Sequence, residues 1–228
     1  MLAGAQAAGA KCVPGTAGIK LPAGFCATVF ADSIRGAREL TVAPNGDVFV
    51  SVQGRTGGGV VSLRDTNHDG KADEKKQFAS GFTSSAVALY GGYLYTEYVP
   101  PQPPGTRTAP GAAGPTISII RYRLRPGALT ASGAADTIVS GLPGTPGHST
   151  RNFVISKAGV LYVNVGSPTN SCQPKDRAPY VAGENPCTEL ETRAGIWKFD
   201  ARKTHQTEAT GVHMARGIRN AVGIALHP

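Results

Sequence analysis

RELTVAPNGDVFVSV, residues 38–52, is the stretch whose reading decides the fold. An apolar run, a Pro-Asn-Gly-Asp turn and a second run alternating apolar with small or polar side chains predict a β-hairpin. The unit recurs as SAVALYGGYLYTEYV (85–99) and RNFVISKAGVLYVNVG (151–166), each with glycine at its turn. Each hairpin is followed by two more strand candidates: VVSLRD and KKQFAS, then ISIIRYRL and DTIVS, then GIWKFD and EATGVHM. Four strands per unit is the make-up of a propeller blade. The expected fold is therefore all-β, a partial β-propeller of about three four-stranded blades.

RNAVGIALHP (219–228) predicts the first, innermost strand of a fourth blade, and there the sequence ends. A propeller leaves no sheet face wet only when its ring is closed. Residues 19–228 are accordingly expected to form an incomplete β-propeller domain, the N-terminal part of a larger one, inactive by itself and inclined to associate through open edges. FCATVFA (25–31) is expected as an outer strand of the missing last blade. PPQPPGTRTAPGAAGPT (100–116) and SPTNSCQPKDRAPYVAGENPCTELET (167–192) are too rich in proline and glycine for regular structure and read as loops over one face.

Composition agrees with a strand-and-turn protein: 30 glycines and 17 prolines in 228 residues, and no long amphipathic helical pattern. The net charge of +8 suits an anionic ligand, but the basic residues are scattered and no run of them is interleaved with aromatics, which argues against nucleic acid. No stretch approaches the length of a membrane span. The four cysteines fall as two local pairs, Cys12 with Cys26 and Cys172 with Cys187, without the spacing of a zinc ribbon. Two short-loop disulfides in an oxidising compartment are the reading, with four separate thiols as the alternative. Residues 1–18 have the small-residue character of the end of a secretory signal, so export to the periplasm or beyond is expected.

DTNHDGKADE (65–74) admits two readings. Asp65, Asn67 and Asp69, followed by Gly70, place oxygens as the first half of a calcium loop does, with the carbonyl of Lys71 and the carboxylate of Asp73 or Glu74 to close the shell. The twelfth position, where an EF-hand has its bidentate glutamate, is Lys76, and the flanks are strand-like, so this is not an EF-hand. The other reading is a plain turn between two strands, since Asp, Asn and Gly dominate turns for conformational reasons alone.

Four stretches taken in order, IKLPAGFCATVFADSIRGARELTVAPNGDVFVSV, LRDTNHDGKADE, GHSTRNFVISKAGVLYVNVGS and GIRNAVGIALHP, resemble the soluble quinoprotein sugar dehydrogenases, the glucose and sorbosone dehydrogenase family. The resemblance runs from about residue 19 to the end, the two inserts excepted. It implies a six-bladed propeller holding pyrroloquinoline quinone and calcium, a sugar substrate oxidised at an aldose or related carbonyl carbon, and an external electron acceptor. It implies that His148 is the general base, a role the chemistry needs because a hydroxyl must lose its proton as hydride leaves the carbon, and an unperturbed imidazole titrates near working pH. It also implies that Arg219 and Asn220 hold the acidic quinone, with Arg38 at the equivalent place in the first blade and Arg151 at the start of the third blade's inner strand. On this reading the 65–74 loop is a structural calcium site remote from catalysis.

The chain departs from the family pattern in two places. Where relatives carry an aspartate to orient the histidine, Ser167 follows Gly166, and its hydroxyl is the expected acceptor for the imidazole. The second blade's entrance, TSSAVAL, lacks the family's residues. Two rival classes stand beside the quinoprotein. A lactonase-like propeller would need carboxylates and asparagines converging on a central calcium. A non-catalytic, calcium-dependent binding propeller would need only the loop.

Overall fold

The structure, a computed structural model, describes residues 18–23, 25–54, 58–102, 114–144, 148 and 150–227. Among these residues there are thirteen strands in three sheets. The first sheet is β1 (Ala37–Val42), β2 (Val48–Val52), β3 (Gly59–Arg64) and β4 (Glu74–Ala79), a four-stranded antiparallel meander. The second holds β5 (Val87–Tyr90), β6 (Tyr93–Tyr98), β7 (Ile117–Arg123) and β8 (Asp136–Leu142) in the same order. The third is β9 (Phe153–Ile155), β10 (Val160–Val165), β11 (Gly195–Asp200) and β13 (Val212–Arg216). The innermost strands line up across the blades, with β5 lying against β1 on one side and β9 on the other.

Local chemistry sets the hairpins. Between β5 and β6 the turn residues Gly91 and Gly92 both have positive φ, 58° and 79°, the combination that matches strand twist and that side chains resist. In β2 all five residues are buried, because alternate side chains serve two different cores. Phe49 joins Val60, Phe78, Phe82, Val87, Leu94 and Ile120 between the first and second blades. Val48 and Val50 face the other way, onto Phe30, Ala31 and Ile34. The core between the second and third blades packs Tyr95, Ile119 and Ile138 against Phe153, Leu161, Val163 and Trp197.

Four details differ from the sequence reading. The second sheet gains a fifth strand, β12 (Gln206–Thr207), which leaves the third blade's β11–β13 connection to pair in parallel with β8. It covers an edge that would otherwise offer unpaired amides. Residues 208–210 form a short 3-10 turn, so the outer strand of the third blade starts at Val212, not within EATG. Residues 25–34 carry no strand; the carbonyl of Phe30 accepts one bond from Ala72 N, and the apolar side chains cover the outer face of the first sheet. RNAVGIALHP, expected to open a fourth blade, forms no ladder over its described residues 219–227, since a strand needs a partner along its length and its main-chain bonds to Ser167 and to the Asn164 side chain are isolated.

Cys172 and Cys187 are joined as expected. Cys26 is also disulfide-bonded, and its expected partner Cys12 lies outside the described residues, as does the leader-like segment through residue 17. The 167–192 insert is irregular apart from a 3-10 turn at Thr188–Glu191, and most of the 100–116 insert lies outside the described residues. No helix among the described residues is long and apolar enough to cross a membrane.

Candidate active site

The third blade's innermost hairpin gathers the candidate residues. His148 precedes β9, and Gly166 and Ser167 follow β10, so the two strands bring them side by side. His148 is 4% exposed, and its Nδ1 lies 2.7 Å from the carbonyl oxygen of Ser167. A carbonyl only accepts, so in the neutral ring Nδ1 carries the proton and Nε2 carries the lone pair. The serine hydroxyl, expected to be the acceptor, is 3.4 Å from the same nitrogen and donates to the carbonyl of Thr169. The main chain of Ser167, rather than its side chain, therefore orients the imidazole.

Gly166 explains how closely the parts fit. A Cβ placed there would lie 2.7 Å from His148 Cβ and 3.2 Å from Asn220 Oδ1. His148 and Asn220 thus flank one glycine, and only glycine leaves room for both.

Asn164, on β10 and fully buried, ties this corner together. Its Nδ2 donates to the carbonyl of Thr150 at 3.1 Å and to Asn220 Oδ1 at 2.8 Å, and its Oδ1 accepts from Ala221 N at 2.9 Å. Thr150 Oγ1 adds a longer contact to Asn220 Oδ1 at 3.4 Å. Arg219 is exposed; its carbonyl accepts from Ser167 N and its Nε donates to Asn170 Oδ1 at 2.6 Å. The sequence-predicted His148, Arg219 and Asn220 therefore share one corner of the third blade.

Arg151 shares the corner but not the surface. It is fully buried, and its guanidinium donates to the carbonyls of Pro143, His148 and Thr150. It has no exposed surface in this structure, whereas Arg219 and Arg38, the other arginines expected at the cofactor, are exposed. Burial pulls its pKa down to about 10, against the opposing pull of Glu97. Glu97 of β6 is itself 1% exposed and accepts from Arg151 N at 3.1 Å, Ser85 N at 2.7 Å and Ser85 Oγ. Burial raises its pKa. The serines of TSSAVAL are thus internal partners: Ser84 meets Thr96 as Ser85 meets Glu97.

Arg38 is exposed on β1. Its neighbour Glu39 points inward, accepting from Val87 N at 3.4 Å and from the side chain of Asn152, and burial raises its pKa. Sequence reasoning missed Glu39, Glu97, Asn164 and Gly166. A signal for Asn164 existed, since it is polar between Val163 and Val165 in an otherwise apolar strand.

The 65–74 loop lies apart, at the turn between β3 and β4. Its side chains converge. Asp65 Oδ1 and Asn67 Oδ1 both accept from Asp69 N, Asp65 Oδ2 accepts from Gly70 N, and Asp69 Oδ1 accepts from Lys71 N. Asp73 Oδ2 accepts from Thr66 N and Oγ1, which lowers its pKa. Asn67 Nδ2 reaches Asp73 Oδ1 at 3.2 Å and Asp69 Oδ2 at 3.4 Å. No group of three or more His, Cys, Asp or Glu among the described residues is arranged to hold a metal.

The fold is similar to that of solved structures. The holo form of the PQQ domain of pyranose dehydrogenase from Coprinopsis cinerea matches with a TM-score of 0.64 at 19% identity, over 90% of this chain and 44% of that one. The fold is part of a β-propeller. The calcium structure of a carbohydrate-active enzyme of family AA12 from Trichoderma reesei matches with a TM-score of 0.55 at 15% identity, over 80% of this chain and 40% of that one. This propeller segment thus spans less than half the length of either. By sequence, residues 26–89 match a domain of unknown function, DUF7133, and no curated protein matches.

Proposed function

We propose that the chain carries the general base of a quinoprotein oxidoreductase acting on an aldose or related sugar of the glucose or sorbosone type. The observation that carries this reading is the arrangement of His148 and Asn220 on either side of Gly166, with the imidazole held by the Ser167 carbonyl. Pyranose dehydrogenase and its PQQ domain, as a fold neighbour, support the same chemistry.

The residues fit a flat, acidic cofactor. Arg219 offers an exposed guanidinium anchored at one nitrogen, Asn220 an amide donor, and Gly166 a surface without a side chain. Arg219 and Asn220 would hold pyrroloquinoline quinone, and Arg38 remains a candidate from the first blade. When bound, the quinone supplies a hydride acceptor, later relieved of its electrons by an external acceptor. His148 Nε2, enclosed in this structure, would take the proton of the sugar hydroxyl once the site opens to substrate, because the Ser167 carbonyl keeps the other ring proton on Nδ1. As the ring becomes cationic, that carbonyl dipole faces it favourably, in the place where a carboxylate would do more.

Calcium belongs to the proposal at the 65–74 loop, through Asp65, Asn67, Asp69, Asp73 and the carbonyl of Lys71. The sequence pattern of oxygen donors supports it; in this structure those oxygens accept from the loop's own amides, so the side chains would have to turn toward the ion to bind it. The Cys172–Cys187 disulfide supports a periplasmic or secreted location. An absorbance titration of the full-length protein with pyrroloquinoline quinone, followed by dye reduction with a panel of aldoses, tests the reading. Saturable binding with aldose-dependent reduction is expected, and failure to bind the quinone overturns it.

A further inference from the structure

The buried pair Glu97 and Arg151 has no part in contacting a cofactor or a sugar, yet it reaches the segment that carries the candidate base. Arg151 donates from Nη1 to the carbonyls of His148 at 2.9 Å and Thr150 at 3.0 Å, and from Nη2 to the carbonyl of Pro143. One planar fork therefore fixes three carbonyls of the stretch that leads into β9. A lysine would bring a single nitrogen to the same place and could not span them. An apolar side chain would leave buried acceptors without donors, which is costly.

Glu97 joins that stretch to the neighbouring blade through the main chain of Arg151. One oxygen accepts from the main chain of Arg151, and the other accepts from Ser85, at the entrance of β5. The three segments that meet here, the end of β6, the entrance of β5 and the entrance of β9, belong to two blades. The apolar core between those blades is a non-directional contact, whereas this pair is directional and sets where His148 sits.

We propose that Glu97 and Arg151 are positioning residues for His148: the second blade, through this pair, fixes the His148 carbonyl and with it the bond from Nδ1 to Ser167. The inference rests on the reading of His148 as the base, and its test separates the two. The readout is the ring 1H–15N spectrum of His148 in the full chain, which reports the tautomer without cofactor or turnover. In the wild type a single Nδ1–H pattern is expected, together with separate, slowly exchanging Nη signals for Arg151. In a folded Arg151→Lys protein the His148 pattern should become averaged, and turnover of the quinone-loaded full-length protein should fall roughly 100-fold with KM and quinone affinity changed less than about threefold. Glu97→Gln keeps an acceptor for Arg151 N, and a smaller change of the same kind is expected.

An unchanged His148 pattern in Arg151→Lys overturns the positioning role, even where His148→Ala is inactive. Freely averaged Nη signals in the wild type overturn it as well, and that measurement stands if both variants fail to fold. Full activity in His148→Ala, alongside a His148 ring pattern that differs between the wild type and Arg151→Lys, overturns the choice of base and leaves the positioning intact.

Discussion

The carbonyl oxygen of Ser167 holds His148 Nδ1 at 2.7 Å, while the hydroxyl of the same serine stands back at 3.4 Å and donates to Thr169. A main-chain acceptor survives replacement of the side chain. Ser167→Ala should therefore keep turnover within a few-fold of wild type, at a stability cost of about 1 kcal/mol for the lost bond to Thr169. Steady-state kinetics beside a denaturant curve decide it; a hundredfold loss would return the orienting role to the hydroxyl.

His148→Ala should leave quinone binding intact and lower turnover by about two to four orders of magnitude, the range for losing a general base. Absorbance titration measures the first and dye reduction the second. Unchanged turnover removes His148 from the mechanism.

Gly166→Ala tests the same corner by crowding it. The added methyl would lie 2.6 Å from the His148 carbonyl oxygen and 2.7 Å from its Cβ. These are backbone and near-backbone atoms, so something must shift, at a cost of about 1–3 kcal/mol. Activity should fall further than in Ser167→Ala, although the change removes no functional group. The opposite ranking would mean that the fit at Gly166 is slack.

Much of this was legible in the sequence, and what was not has physical reasons. Hairpins announce themselves by period-2 alternation and glycine turns, so β5, β6 and the Gly91–Gly92 turn follow from SAVALYGGYLYTEYV directly. β12 does not, because two residues have no periodicity and pair only after the third blade packs on the second. The resemblance singled out His148 and Asn220, which flank one glycine here, but gave no sign that Arg151 would be buried. At the start of an inner strand an arginine can face the cavity or turn back into the fold, and the carbonyls that draw it inward come from residues 143–150. Asn164 was hidden by its partners in the same way: Ala221 and Asn220 are more than fifty residues away in the chain.

That long reach makes Asn164 testable. Asn164→Leu keeps similar bulk but removes the bonds to Thr150, Asn220 and Ala221, leaving buried groups without partners. A loss of about 2–4 kcal/mol is expected. Quinone affinity should drop with it, because Asn220 and Ala221 lose their bonds to Asn164 while Arg219 keeps its own, to Ser167 N and Asn170. Stability lost with affinity unchanged would mean that the 219–221 segment is held elsewhere.

Calcium addition offers a separate check on the 65–74 loop. If the loop binds the ion in the folded state, the melting temperature rises with calcium concentration and falls back on chelation. Asp65→Ala should abolish the response and leave His148-dependent turnover within about twofold, since the loop's contacts run to Thr66 and Phe30 rather than to the third blade. A melting temperature indifferent to calcium identifies the loop as a turn.

The pH dependence of stability should carry the mark of Asp47. Its carboxylate, 3% exposed, meets Arg64 at 2.7 Å, and Arg64 in turn donates to the carbonyl of Gly127 across the first and second blades. The bond to Arg64 holds the Asp47 carboxyl below its ordinary range, outweighing the upward pull of burial. A carboxyl whose folded value lies below its unfolded one contributes stability above the unfolded value, near pH 4, and loses it as pH falls through the folded value. Arg64 is 27% exposed, so the contribution is modest, about 2 kcal/mol. Unfolding curves of wild type and Asp47→Asn should therefore stay apart by a constant gap between about pH 7 and pH 5, and converge below about pH 4. A gap that persists in strong acid would show that Asp47→Asn acts through packing at the turn and not through the ion pair.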